Sequence, residues 1–427
     1  MPDPILSDSR CVLAASTPSD AQHYFGFHDV TPWDPTDNRL ALLRVHADLR
    51  HTPTAQDRAE ICLWDPACGK PEPVGETQAF NWQQGSRLQW LPGPRPRLIT
   101  NTIEDRALTA RILDLDSGRW GDPIPAIYSI SRTGDFALAP DFPNLARHWR
   151  DYSYDLPDGS SCPPGKEGSL LRVDLVTEES RVLVEVAQAR ALCGQEHTGA
   201  EGHDFISHVT FSPTGKRICF LYRRFASDGA LFSFLLSARP DGSELTVLAR
   251  EKCSHFDWFD DDRILLWTRK LPGRAAALRG SGITRRFPFK QVVAMIRKLN
   301  PKLKQSLFAE MYYLLDSRNP GSSEAVGQGI LEQDGHPMFA PDRRWMVTDT
   351  YAFEGFQPLI LFAMDSRTRH DIVRFPVHEN FKQPALKCDL HPRWNRAGTK
   401  IAVDSAHSGM RQLYVVDASS FLTNSAR

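Results

Sequence analysis

Apolar and polar residues alternate with a period of two in short runs along most of the chain, as in ALTARILDLDSG, SLLRVDLVTEESRVLVEV and RQLYVVDAS. Such runs give each segment one apolar and one polar face, and turn residues punctuate them, so they predict short antiparallel strands. A composite pattern recurs over longer distances. SHVTFSPTGKRICFLY, SHFDWFDDDRILLWTR, GHPMFAPDRRWMVTDTY and LHPRWNRAGTKIAVDS each carry an aromatic anchor, a turn rich in Asp, Gly, Asn or Arg, and a second apolar run. Three weaker copies precede them, GFHDVTPWDPTDNRLALLRV, SRLQWLPGPRPRLITN and IYSISRTGDFALA. The anchors Trp33, Trp90, Ile130, Phe211, Trp258, Phe339 and Trp394 define seven units.

Self-similarity at this period, with about four strands per unit, predicts an all-β, seven-bladed β-propeller. Residues 1–427 are expected to form one domain. The segment from Ser9 to Ala21 is expected to supply the outer strand of the last blade, which leaves no open sheet edge. Two insertions interrupt the pattern, at about 141–167 and 271–306. The second is strongly basic: between Asp262 and Glu310 stand twelve Lys or Arg and no Asp or Glu. Within it Phe289, Val292, Val293, Ile296 and Leu299 recur at helical spacing, which predicts a basic amphipathic helix. Such a helix suits an anionic polymer, an acidic partner or peripheral contact with a membrane surface; a lid helix with solvated charges is the plainer reading.

His208, His255, His336 and His391 each fall three residues before an anchor, while Arg87 and Ile127 take that place in two weaker copies. His28 stands two positions upstream of it. In an up-and-down blade the innermost strand starts on the face to which the second strand returns. The four histidines are therefore expected to meet, at one mouth of the channel, the second-strand ends bearing Tyr222, Arg223, Arg224, Asp349, Tyr351, Asp404 and His407. His336, His391 and Asp389 are the metal-ligand candidates, because they belong to adjacent blades and residues two apart on a strand share a face. His plus carboxylate with an open position suits a divalent ion such as Mn, Zn, Fe or Ca. His255 completes the set or acts as a base, and His208 is the fourth member of the group. Strand-start histidines that only hydrogen-bond between blades are the structural alternative.

Further candidates face a substrate. The first insertion gathers Arg147, His148, Trp149 and Tyr152, aromatics and cations suited to stacking on and pairing with a sugar acid. Arg87, His203, His407 and Arg411 are added as binding residues. The plainer alternative for the insertion is a loop anchored by its own aromatics.

Composition removes some classes. A net charge of -1 over 427 residues gives no sign of nucleic-acid binding. MPDPILSDSR has no basic region followed by an apolar stretch, and no uncharged run is long enough to span a bilayer, so neither a secretory signal nor a transmembrane segment is expected. Eight dispersed cysteines without a CxxC pair favour reduced thiols and a cytoplasmic setting. No nucleotide or organic cofactor is expected.

The repeats HVTFSPTGKRICFL and HPMFAPDRRWMVTDTY, with the closing HPRWNRAGTKIAVDSAHSGMRQLYVVD, resemble the oligogalacturonate lyases and related propeller polysaccharide lyases, over most of the blades. Short motifs of this kind are shared with TolB-like propellers. The resemblance implies a manganese ion held by three histidines and a glutamine, two of the histidines forming an H-x-H pair. His336 matches one ligand and His391 the second histidine of the pair; the first is Asp389 here, and the glutamine three residues before it is Leu386. His255 falls where the family's base lies, and Arg223 or Arg224 where its assisting arginine lies. The implied activity is cleavage of a uronic-acid-containing glycan by metal- or arginine-assisted β-elimination, with an anionic oligosaccharide or polysaccharide as substrate. Tyr222 or Tyr351 is the candidate proton donor to the leaving oxygen.

Two other classes compete. A non-catalytic propeller would bind an anionic glycan or a protein partner at the same mouth. A metal-dependent sugar hydrolase or isomerase would use the same residues. A serine peptidase is excluded, because it needs a G-x-S-x-G motif on a separate domain and the sequence has neither.

Overall fold

A computed structural model describes residues 3–156, 161–194, 202–226, 229–250, 252–270 and 308–425. The basic segment 271–306, with the helix expected in it, lies outside these. The described residues form seven antiparallel sheets with a core of four strands each, the make-up of a seven-bladed β-propeller. Five of the sheets run in chain order from the first strand outward, and the last two each take an outer strand from the start of the chain. In the first, Gln22–Tyr24, Leu40–Val45, Ala59–Trp64 and Glu72–Thr77 lie side by side.

The repeat of the sequence is a repeat of register. Trp33 pairs with Leu40, Trp90 with Leu98, Ile130 with Ala137 and Phe211 with Ile218. Trp258 pairs with Ile264, Phe339 with Met346 and Trp394 with Ile401. Every anchor meets the opening residue of a second apolar run across the intervening turn. The turn residues bend the chain, and the paired apolar side chains fix which face is buried.

The last sheet takes its outer strand from the start of the chain, as the pattern predicts. Arg393–Trp394, Lys400–Ser405 and Gln412–Asp417 are joined by Val12–Ser16, in the register Val12 to Asp417. The Thr17 carbonyl accepts from Gln412 Nε2 at 2.6 Å, and its hydroxyl accepts from the Leu413 N–H at 3.0 Å.

The structure is mainly β, not all-β. Helices Phe142–His148, Val186–Cys193 and Ser419–Ser425 also occur among the described residues. The first lies in the first insertion, where Asp141 accepts from the Asn144 N–H at 3.3 Å as an N-cap and Pro143 fits the first turn. The second starts with a capping box in which Gln188 Oε1 accepts from the Glu185 N–H at 2.9 Å.

Two compact units divide the chain: residues 1–161, 171–181 and 336–427, and residues 162–170 and 182–335. The core of the first packs the last sheet against the one before it through Trp394, Val403 and Leu359, and against the first sheet through Trp33, Trp64 and Leu413. The core of the second is built on Leu221, Leu235, Trp258 and Leu266.

Candidate metal centre

In the first unit, three ligand-bearing side chains from two consecutive sheets converge. His336, Asp389 and His391 are all buried, and one ligand atom from each lies within 4.8 Å of the others. The His336 and His391 rings meet edge to face, with centroids 4.5 Å apart. His336 leads into Met338–Phe339, and Asp389 and His391 lead into Arg393–Trp394, so each ligand enters just ahead of a first strand. The shared address of the two histidines in the repeat is what brings their rings together.

Each ring is held through Nδ1. His336 Nδ1 donates to the Asp349 carboxylate, at 2.8 and 3.0 Å to its two oxygens, and the His336 N–H donates to the same carboxylate at 2.7 Å. His391 Nδ1 donates to the Gly26 carbonyl at 2.8 Å. A carboxylate and a carbonyl only accept, so both imidazoles carry their proton on Nδ1 and present the lone pair of Nε2. This arrangement orients histidines toward a metal and raises their basicity. The donor set of two such imidazoles and a carboxylate therefore fits a divalent ion.

Backbone geometry supports the placement. His391 has φ 46°, in the left-handed region that costs a non-glycine residue about 1–3 kcal/mol. The Gly26 carbonyl is positioned by Asp404, which accepts from the Phe25 N–H at 3.3 Å. Burial pushes the Asp404 carboxyl well above the ordinary range, against the opposing pull of Arg411 and the Phe25 and Gly26 N–H groups. Gly26 has φ 119°, and a Cβ there would meet the Gln84 carbonyl oxygen at 3.0 Å, so only glycine makes this turn.

His28 is a third imidazole beside the pair, with its ring 5.3 Å from that of His336 and 6.3 Å from that of His391. Phe27 packs on both His28 and His391, at 4.3 and 5.2 Å, and Tyr152 meets Phe27 edge-on at 5.9 Å. Trp149 meets Tyr152 edge to face at 4.7 Å. The first insertion thus reaches the metal centre through Tyr152. Arg147, exposed, and His148, half-buried, close its helix.

Asp389 has two neighbours besides the histidines. Lys387 Nζ stands 2.9 Å from Oδ2, and Gln357 Nε2 donates to Oδ1 at 3.4 Å. The Lys387 ammonium also lies 3.5 Å from the centre of the Tyr351 ring, whose edge meets His336 at 5.9 Å.

Two of the three expected binding arginines of this unit, Arg87 and Arg411, are internal anchors. Arg87 is buried, bidentate to Asp29 at 2.8 and 3.1 Å, with its guanidinium 3.6 Å over the Tyr128 ring. It fixes the residue next to His28. Arg411 is buried over Trp82 and donates to the Leu386 and Lys387 carbonyls at 2.6 and 2.9 Å, fixing the loop that delivers Asp389. His407 is buried beside Ser405 and Tyr414.

The second unit holds the remaining candidates. His255 Nδ1 donates to Asp334 at 3.0 Å. Burial raises the Asp334 carboxyl, yet the charges of His255 and Lys252 and the hydrogen bond from His255 hold it below its ordinary value. His208 is buried with φ 56°, at a break in register between Ser207 and Thr210. Such bulges re-aim a side chain. Tyr222 and Arg224 both bond Asp204 at 2.8 Å, and Arg190 pairs with the same carboxylate. Arg223 Nε donates to Ser233 at 3.2 Å, and His203 is exposed.

No protein-family model matches the chain, and no curated protein matches its sequence. Solved structures do match. One is an oligogalacturonate lyase in complex with manganese, with a TM-score of 0.61 and 15% identity over 97% of this chain and 95% of that one. The chain is similar in fold to oligogalacturonate lyase. The enzyme from Vibrio parahaemolyticus gives the same TM-score at 11% identity, over 97% of this chain and 96% of its own. TolB from Acinetobacter baumannii covers 80% of this chain and 64% of its own at 13% identity with a TM-score of 0.38, and adds no argument beyond the lyases. At these identities the oligogalacturonate lyase likeness concerns the fold.

Proposed function

We propose that this chain is a lyase that cleaves a uronic-acid-containing oligosaccharide or polysaccharide by β-elimination, with a divalent ion at His336, His391 and Asp389. The observation that carries the reading is the pair of imidazoles locked through Nδ1 beside a buried carboxylate. That the fold resembles a manganese-bound oligogalacturonate lyase supports it. In the elimination a base takes the C5 proton next to the sugar carboxylate, the electron pair forms the C4–C5 double bond, and the C4–O bond breaks. A divalent ion, when bound, neutralises the sugar carboxylate on which negative charge develops. Asp349 and the Gly26 carbonyl hold the ligand rings in the required tautomer. By its place in the repeat His255 is the proposed base, and with its Nδ1 proton held by Asp334 its Nε2 carries the lone pair that accepts a proton. Tyr351, exposed and in edge contact with His336, is the proposed proton donor to the leaving O4.

The test is ultraviolet absorbance of unsaturated uronate products from a panel of uronate oligosaccharides, with Mn²⁺ present and metal content measured. Absorbance is expected to rise, and to be lost in His336→Ala and His255→Ala. A metal-loaded protein silent across the panel overturns the reading. A non-catalytic module that binds an anionic glycan is the second reading. It is favoured by the Lys387–Asp389 pair, which balances the buried carboxylate without an ion. Elemental analysis separates the two, because a scaffold has no reason to retain one stoichiometric ion that His336→Ala releases.

A further inference from the structure

Residues 26–30 follow the strand Gln22–Tyr24 and touch the metal centre twice. Gly26 gives its carbonyl to His391 Nδ1 at 2.8 Å. Two residues on, the ring of His28 lies 5.3 Å from that of His336 and 6.3 Å from that of His391. His28 is the next imidazole outside the three ligand atoms that lie within 4.8 Å of one another. It is 2% exposed, so it belongs to the same interior as the ligands.

Its placement is fixed by the backbone and by a buried ion pair. The Val30 N–H donates to the Phe27 carbonyl at 3.1 Å, closing a turn with His28 and Asp29 at its centre. Asp29 accepts both arms of the Arg87 guanidinium, at 2.8 and 3.1 Å, and Arg87 Nε donates to the Tyr128 carbonyl at 3.0 Å. Both members of this pair are buried, at a cost in desolvation that packing a ring does not require. A position that needed only a ring would be served by phenylalanine, as position 27 is. A nitrogen ligand stands about 2.1 Å from its ion and its ring centre about 1.1 Å farther, so imidazoles sharing one ion have centres at most about 6.4 Å apart. The three separations here, 4.5, 5.3 and 6.3 Å, fall within that limit.

We propose that His28 is a third imidazole ligand of the divalent ion, beside His336, His391 and Asp389. The lyase ligand positions matched in this sequence are His336, Leu386, Asp389 and His391, so a ligand next to the first sheet lies outside that set. Three imidazoles with one carboxylate also turn the site away from Ca²⁺, which takes oxygen ligands. The proposal rests on the metal centre of the lyase reading, but ion binding is measured without turnover.

The experiment compares the unmodified full-length protein with His28→Phe and His28→Ala. Zn²⁺ affinity is read by titration against a chelating dye, and the imidazoles on bound Cu²⁺ are counted by pulsed electron paramagnetic resonance. Three imidazoles are expected in the unmodified protein and two in each variant. Zn²⁺ is expected to bind the variants at least about 100-fold more weakly, the upper end of what losing an orienting partner costs. His28→Phe keeps a ring against Phe27, so its metal-free melting temperature is expected to match that of the unmodified protein. Added imidazole is expected to restore Zn²⁺ affinity to His28→Ala, which a purely structural histidine would not allow. Two imidazoles in the unmodified protein, or Zn²⁺ affinity unchanged in both variants, overturns the ligand role of His28 while the centre at His336 and His391 stands. No ion bound by the unmodified protein overturns the centre and His28 with it. Three imidazoles without cleavage of any uronate leave His28 a ligand and remove the lyase reading.

Discussion

Asp349 does for His336 what a peptide carbonyl does for His391, and the difference between the two supports is testable. A carboxylate can be deleted by substitution, whereas the Gly26 carbonyl cannot. Asp349→Ala removes the acceptor for both the His336 N–H and Nδ1, which frees the ring to change tautomer. Divalent-metal affinity, measured by titration calorimetry, is expected to fall about 10–100-fold, the usual cost of losing such an orienting partner. An unchanged affinity would mean that Nε2 of His336 is not a ligand. The two histidines were legible in the sequence because they occupy one address in a repeat. His28 was harder to see, since the first strand ends at Tyr24 and Gly26 turns the chain so that its imidazole arrives from an offset position. In the sequence Arg87 reads as a binding residue, and Arg224 and Tyr222 as catalytic candidates. Their partners Asp29 and Asp204, 58 and 18 to 20 residues away, are visible only once the strands pair.

The strands themselves were the most readable level, because register follows from where the apolar anchors meet. The short helices were not, since their signals are caps, Asp141 and Glu185, not a long apolar period. The clearest consequence at this scale concerns Val12–Ser16. Removing residues 1–18 strips the outer strand from the last sheet, together with the packing of Leu13 and Ala15 and both bonds to Thr17. The exposed edge of Gln412–Asp417 then becomes a template for pairing with another chain. The truncated protein is expected to melt roughly 5–10 °C lower and to form oligomers. Differential scanning fluorimetry and size-exclusion chromatography check both, and a monomer with the original melting temperature would show that the strand contributes nothing.

Over the whole molecule, acid sensitivity follows from two buried imidazoles. Burial lowers both His23 and His407 from 6.5 to about 4. Their folded values lie below the unfolded one, so the unfolded chain binds more protons between these limits. Their neutral burial costs nothing above about pH 6.5, and stability is lost as pH falls from there toward 4. Each site accounts for roughly 2–3 kcal/mol of that loss. Thermal melts from pH 7 to 4.5 are expected to show a steep decline that His23→Gln and His407→Gln each make shallower; parallel curves would refute the assignment. Thr17 and its partner Leu413 are 396 residues apart, which has a further consequence for biogenesis. At about 5–20 residues per second, a ribosome takes on the order of 20–80 s to make the stretch between them. Throughout translation the early segment waits without its mate, and the final sheet can be sealed only after synthesis has passed its last strand.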